Sequence, residues 1–221
     1  MPIYKTKNED FFKKWSPEMA YVLGFFAADG NMIKNKRGAH FIEFTNTEKN
    51  ILTKIKRIIK TDLKISERKK KMPGKTVYRI QVGSKEIYND LIKLGMTPNK
   101  SRTIVLPKIP KKYFSHFLRG YFDGDGCVNV CSYYKTGRNM LSTVINCNFV
   151  SGSDKLLKAI KNSLTDFGIV KGGSLCFCNR GYRLAFSIND SFALYNFMYK
   201  NSSDLFMPRK KLIFEKYFNK E

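Results

Sequence analysis

Two aspartates, Asp29 and Asp125, stand in matching surroundings 96 positions apart. Each closes a largely apolar stretch and is followed by glycine: YVLGFFAADG at 21–30 and FLRGYFDGDG at 117–126. An acid in the last turn of a helix meets the negative end of the macrodipole, which costs about 0.3–1 kcal/mol. One such residue could be an accident of a turn, but two at equivalent places ask for a function. Two carboxylates in close approach repel unless a cation lies between them or one takes a proton. Hard oxygen donors in this number suit Mg²⁺, which completes its shell with waters and substrate phosphates. The chemistry that fits is metal-assisted hydrolysis of a phosphodiester, in which the ion acidifies a water and stabilises the departing 3′ oxygen.

The glycines inside both stretches say how the acids are brought together. A mid-helix glycine is worse than alanine by about 1 kcal/mol, so its place needs a packing reason. Ala20, Gly24 and Ala28 recur at four-residue spacing in one helix, and His116, Gly120 and Gly124 do so in the other. Small side chains four apart share one face, and such a face lets two helices approach nearly backbone to backbone. We expect the two motif helices to cross there and carry Asp29 and Asp125 to one end of the crossing.

The similarity extends beyond the motifs. FTNTEKNILTKIK (44–56) aligns with FVSGSDKLLKAIK (149–161), YRIQVGSKE (78–86) with YRLAFSIND (182–190), and TPNKS (97–101) with MPRKK (207–211). The offset grows from 96 to 105 after the first block, so about nine residues are added in the second copy's first loop. The blocks recur in order, giving two units with expected boundaries 1–105 and 106–221. Ser16-Pro17 is a helix start, with a capping hydroxyl and a proline at the first helical position. Alternating β-branched and aromatic residues mark strands over GAHFIEFTN and on both sides of Pro73-Gly74. Apolar residues at helical spacing mark helices over 48–60 and around Ile87–Ile92. The expected fold is α+β: two pseudo-symmetric αββαββα repeats, with RKKLIFEKYF as a closing helix.

Lys and Arg number 41 against 18 Asp and Glu, a formal charge of +23, yet 18 Phe and 12 Tyr argue against disorder. A folded chain with such a surface is expected to bind nucleic acid. No apolar run approaches a membrane span and no signal peptide is visible, so an intracellular, non-secreted protein is expected, in a microbial cytoplasm or an organelle matrix. The Lys, Ile, Asn and Phe richness hints at an A·T-rich genome. Cys127, Cys131, Cys147, Cys176 and Cys178 show no paired CxxC spacing and are expected to be reduced thiols. With His40 and His116 the only histidines, and His116 on the helix face, histidine-dependent nuclease chemistry is disfavoured.

The paired stretches resemble the signature of the LAGLIDADG homing endonucleases of the monomeric double-motif kind. The second copy, with Leu118, Gly120, Phe122, Asp123, Gly124, Asp125 and Gly126, is the closer match. The first has Ala27 where the family often has an acid, and Phe25-Phe26 in place of smaller aliphatics.

The resemblance implies a metal-dependent DNA endonuclease that makes a staggered double-strand break with short 3′ overhangs. Asp29 and Asp125 would hold Mg²⁺, with the preceding Ala28 and Gly124 in the metal set. Mn²⁺ is expected to substitute, and Ca²⁺ to support binding without cleavage. Asn46, paired with Ser151, and Lys100, paired with Lys210, would arrange water around the ions. The strands of each unit would form a saddle along double-stranded DNA. Contacts are expected from Lys34, Lys36, Arg37, Arg68, Lys70, Lys75 and Arg79 in the first unit. In the second they are expected from Tyr133, Lys135, Arg138, Arg180 and Arg183. The alternatives are an intron RNA maturase, whose partner is its own intron RNA, and a sequence-specific DNA-binding protein that does not cleave. The second alternative would be expected to lose the acids, and this chain keeps both.

Overall fold

The computed structural model describes residues 6–68, 76–200, 202 and 204–219. Its order is α1 (Pro17–Asp29), β1 (Gly30–Lys34), β2 (His40–Asn46), α2 (Lys49–Ile58), β3 (Ser66–Arg68), β4 (Val77–Gly83) and α3 (Lys85–Lys93). The order then repeats: α4 (Phe114–Asp125), β5 (Gly126–Lys135), β6 (Met140–Ser151), α5 (Asp154–Asp166), β7 (Ser174–Cys178), β8 (Gly181–Phe186) and α6 (Ile188–Tyr199), with α7 (Pro208–Phe218) closing the chain. This is the expected α+β double repeat. Each repeat has one antiparallel four-stranded sheet, ordered β1-β2-β4-β3 and β5-β6-β8-β7.

Local chemistry accounts for the element starts. Ser16 Oγ accepts from Met19 N–H at 3.1 Å, and proline occupies the first position of α1. Ser84 and Ser153 cap α3 and α5 in the same way. In β2, Ile42 and Phe44 face the helices and are buried; Ile145, Cys147 and Phe149 do the same in β6. The opposite face of each sheet stays open. The residues added in the second repeat form a longer hairpin rather than a loop: β5 and β6 pair from Gly126↔Phe149 out to Lys135↔Met140.

The two repeats are joined through α1 and α4, whose middles are fully buried. A Cβ on Gly24 would collide with the Phe117 carbonyl and lie 2.9 Å from Tyr121 N; one on Gly120 would collide with the Tyr21 carbonyl and lie 2.9 Å from Phe25 N. The helices therefore touch backbone to backbone at these glycines, which accounts for the propensity they sacrifice. Ala20 is buried in the same seam, and Gly124 meets the Cβ of Ala28. His116 departs from the expected small-residue stripe: its Nδ1 lies 3.1 Å from Arg119 on its own helix. Peripheral ion pairs also cross between repeats, Arg57 with Asp204 at 3.0 Å and Arg209 with Glu48.

Candidate active site

Because α1 and α4 end together, their last residues share one end of the seam. A Cβ on Gly124 would lie 3.5 Å from both Cγ and Oδ2 of Asp29, so α4 passes directly against that carboxylate. Asp125 is pushed up to about 6, first by burial and then by the negative charge of Asp29, with Lys100 and Lys210 opposing. Asp29 is also raised by burial; the Asn46 hydrogen bond, Lys210 and Lys100 oppose the rise. The negative charge of Asp29 thus acts on Asp125, while burial alone raises Asp29.

Asn46, at the end of β2, donates from Nδ2 to Asp29 Oδ2 at 2.8 Å, while its Oδ1 accepts from Glu48 N–H at 2.9 Å. The amide is thus fixed at both ends. Its counterpart Ser151 makes the turn bond, accepting from Ser153 N–H at 3.0 Å, and its side chain meets Tyr121 rather than Asp125. A serine is too short to copy the reach of asparagine, and the expected symmetry of this pair fails there. Thr45, absent from the expected set, donates its hydroxyl to the Asp29 carbonyl at 3.3 Å.

Lys100 and Lys210 occupy matching places. Lys100 Nζ donates to the Gly30 carbonyl and lies 5.2 Å from the Phe26 ring centroid; Lys210 Nζ donates to Gly126 at 2.7 Å and lies 5.1 Å from Phe122. Both ammonium groups therefore sit under the Asp-Gly turns. Burial lowers Lys100 to about 8 against the pull of Asp125 and Asp29, and lowers Lys210 as well. The Lys100 turn rests on the other repeat, since a Cβ on Gly152 would strike the Ser101 carbonyl.

An open cleft of about 310 Å³ beside the Asp29 carboxylate is lined by Asp29, Thr45, Asn46, Asp123, Gly124 and Arg209. Among the described residues no group of three or more His, Cys, Asp or Glu could hold a metal unaided. Two half-buried carboxylates fit a hard divalent ion that takes its other ligands from water and phosphate. Ala28 and Gly124 stand directly before these acids.

The DNA-contact candidates divide by strand register. Arg79 and Arg68 lie on the open face of the first sheet, opposite to buried Ile80 and Val82. Lys34 ends β1 as expected; it shares a face with buried Met32 and pairs with His40, so strand periodicity puts it on the helix side of the sheet rather than the open face. Lys36 and Arg37 sit exposed in the β1–β2 turn. Lys70 and Lys75 lie outside the described residues. In the second sheet Tyr133, Lys135 and Arg183 belong to the open face, with the Lys135 ammonium 5.8 Å from the Tyr133 ring centroid. Arg180 occupies the β7–β8 turn at φ 66°, and Arg138 lies in the Thr136–Arg138 turn.

Glu43 was not expected at the centre of the first open face. Its Oε1 accepts from Arg79 at 3.1 Å and from Gln81 at 2.8 Å, so one carboxylate braces two side chains of the neighbouring strand. Its signal in the sequence was an acid between Ile42 and Phe44.

Comparison with known proteins agrees with this architecture. The chain is 30% identical over 131 residues to an uncharacterized protein of Methanocaldococcus jannaschii, a match covering 58% of this chain and 44% of that protein. It is 32% identical over 130 residues to the replication factor C small subunit of the same organism, covering 57% of this chain and 7% of that one. The chain thus spans less than half the length of these curated relatives. Among solved structures, the homing endonuclease I-WcaI bound to its DNA recognition sequence aligns with a TM-score of 0.62 at 18% identity, over 92% of this chain and 90% of that one. The meganuclease I-AabMI bound to uncleaved DNA aligns with a TM-score of 0.64 at 14% identity, over 93% and 90%. A family model described as LAGLIDADG-like domain matches residues 16–94 and 114–173, so the chain belongs to that family, in its double-motif form.

Proposed function

We propose that the chain is a site-specific homing endonuclease that hydrolyses both strands of a DNA target and leaves short 3′ overhangs. The observation that carries this reading is the crossing itself: α1 and α4 run side by side to their Asp-Gly ends, the Asp29 carboxylate lies against Gly124, and each Asp-Gly turn has a buried lysine beneath it. In each strand, water adds to phosphorus, the P–O3′ bond breaks, the 3′ oxygen leaves with a proton, and a 5′-phosphate remains. A divalent ion, Mg²⁺ by this reading, would be held by Asp29 and Asp125, and would activate water and neutralise charge on the departing oxygen. Asn46 fixes the Asp29 carboxylate. Lys100 and Lys210 keep positive charge next to where negative charge grows. The repeats, 1–105 and 106–221, would each take one half of the target, so one chain suffices as a monomer.

Incubation with a DNA library in Mg²⁺, followed by sequencing of cut ends, tests site, stagger and activity together. Asp29→Asn or Asp125→Asn is expected to abolish double-strand cleavage in Mg²⁺ while leaving DNA binding in Ca²⁺ intact. Full cleavage by either variant would refute these roles.

A further inference from the structure

Asp123, two residues before Asp125, has no acidic counterpart: Ala27 stands at its place in the first repeat. Its exposure is 1%. Its Oδ2 accepts from the Tyr21 hydroxyl of α1 at 2.6 Å and from the Met207 N–H at 2.9 Å. Met207 directly precedes α7, so the carboxylate meets a free amide at the positive end of that helix. One turn earlier on α4, buried Arg119 donates to the carbonyls of Leu205 at 3.1 Å and Met198 at 2.8 Å. Its counterpart in α1 is Leu23. Two polar side chains of α4 therefore clasp the residues that lead into α7, and α1 has neither.

The first turn of α7 carries Lys210, whose Nζ donates to the carbonyls of Phe122 at 2.6 Å, Asp123 at 2.8 Å and Gly126 at 2.7 Å. α7 is thus tied to α4 in both directions, by the Asp123 carboxylate reaching its main chain and by Lys210 reaching back. Lys100 has a simpler seat. It starts a 3-10 turn after Asn99, which is left-handed at φ 56° and makes no side-chain cap, and its ammonium reaches the Gly30 carbonyl.

We propose that Asp123 is a positioning residue for one half of the active site: by holding Tyr21 and the start of α7 it fixes Lys210 beneath the Asp125-Gly126 turn, a device the Lys100 seat does without. The proposal rests on the nuclease reading for its catalytic consequence, but not for the clasp.

Two readouts separate the two. Acetic anhydride labelling of the DNA-free protein, read by mass spectrometry, reports the accessibility of Lys210 against Lys100. Cleavage of a plasmid bearing the selected target reports each strand separately. In Asp123→Ala, Lys210 is expected to label several-fold faster with Lys100 unchanged. Nicked plasmid is expected to accumulate, because one strand slows by about 10–100-fold, the scale of a small misplacement of a reacting group. Asp123→Asn retains an acceptor oxygen for both donors and is expected to restore both readouts. Should Asp123→Ala not fold, Asp123→Ser, whose oxygen falls short of Met207, is read in its place. Unchanged protection of Lys210, or equal slowing of both strands, would overturn the proposal. Uncovered Lys210 in the variant, with DNA left intact by the parent protein, would uphold the clasp and sink the nuclease reading.

Discussion

At the scale of single residues, the two carboxylates work against the fold until something positive joins them. The Asp125 carboxyl is raised to about 6 from an ordinary 3.8 by burial and by Asp29. A group raised in the folded state binds its proton more tightly there, so its contribution to stability is fully present below the unfolded value and is lost as pH rises through about 6. Metal-free protein is therefore expected to lose melting temperature between pH 4 and about 6.5, and Asp125→Asn is expected to raise it at pH 8 by a few degrees. Mg²⁺ needs the ionised carboxylate, so it is expected to stabilise the parent at pH 8, to do so much less at pH 5, and to do nothing for the variant. Thermal unfolding with and without Mg²⁺ at both pH values checks all three. A variant no more stable than its parent at pH 8 would show that the carboxylates do not repel.

At the scale of elements, the crossing of α1 and α4 depends on missing side chains. Gly24→Ala or Gly120→Ala would place a methyl against main-chain carbonyl of the facing helix, where no rotamer offers relief. Each is expected to cost about 3 kcal/mol, the upper range for overpacking, or more. Gly137→Ala, with open space around it, is expected to be near neutral in the same denaturant titration. The crossing was legible in the sequence because Gly24 and Gly120 each weaken a helix at the same distance before an acid, a cost that close backbone contact offsets. The strands themselves were legible because apolar and polar residues alternate along them. What escaped were partners far apart in the chain. Asp123 meets Met207 across 84 positions, and no periodicity in α4 announces it. Ser151 aligned with Asn46 by position, but alignment does not measure reach. The face taken by Lys34 depended on a register that the sequence left open, and the added residues of the second repeat paired as strands although they aligned as a loop.

At the scale of the molecule, a net charge of +23 and two open sheets predict salt-sensitive binding. For six to ten neutralised phosphates the affinity would fall by about 10³–10⁵ between 50 and 200 mM salt. That charge does not make the two halves equivalent readers. The open face of the first sheet carries Arg68, Arg79 and Gln81, the last two held by Glu43. A braced arginine presents its fork to guanine with less rotamer freedom to lose, and each such contact discriminates by about 1–3 kcal/mol. In the second sheet the corresponding face presents, besides Tyr133, Lys135 and Arg183, the amides Asn129, Asn146 and Asn148, which suit adenine, and the short side chains Cys127, Cys131, Val144 and Ala185. Short apolar side chains and thiols suit thymine methyl groups better than guanine edges. The half of the target under residues 1–105 is therefore expected to carry the stronger G·C preferences, and the half under 106–221 an A·T-rich run. Glu43→Ala tests the brace directly, since it removes the one acceptor that holds both Arg79 and Gln81, and a negative charge with it. It is expected to bind random DNA more tightly while losing discrimination at one or two base pairs of the first half alone. Sequencing of DNA selected by the parent and by the variant in Ca²⁺ measures both effects. Equal preferences in the two halves, or relaxation spread over both, would show that Glu43 does not govern readout.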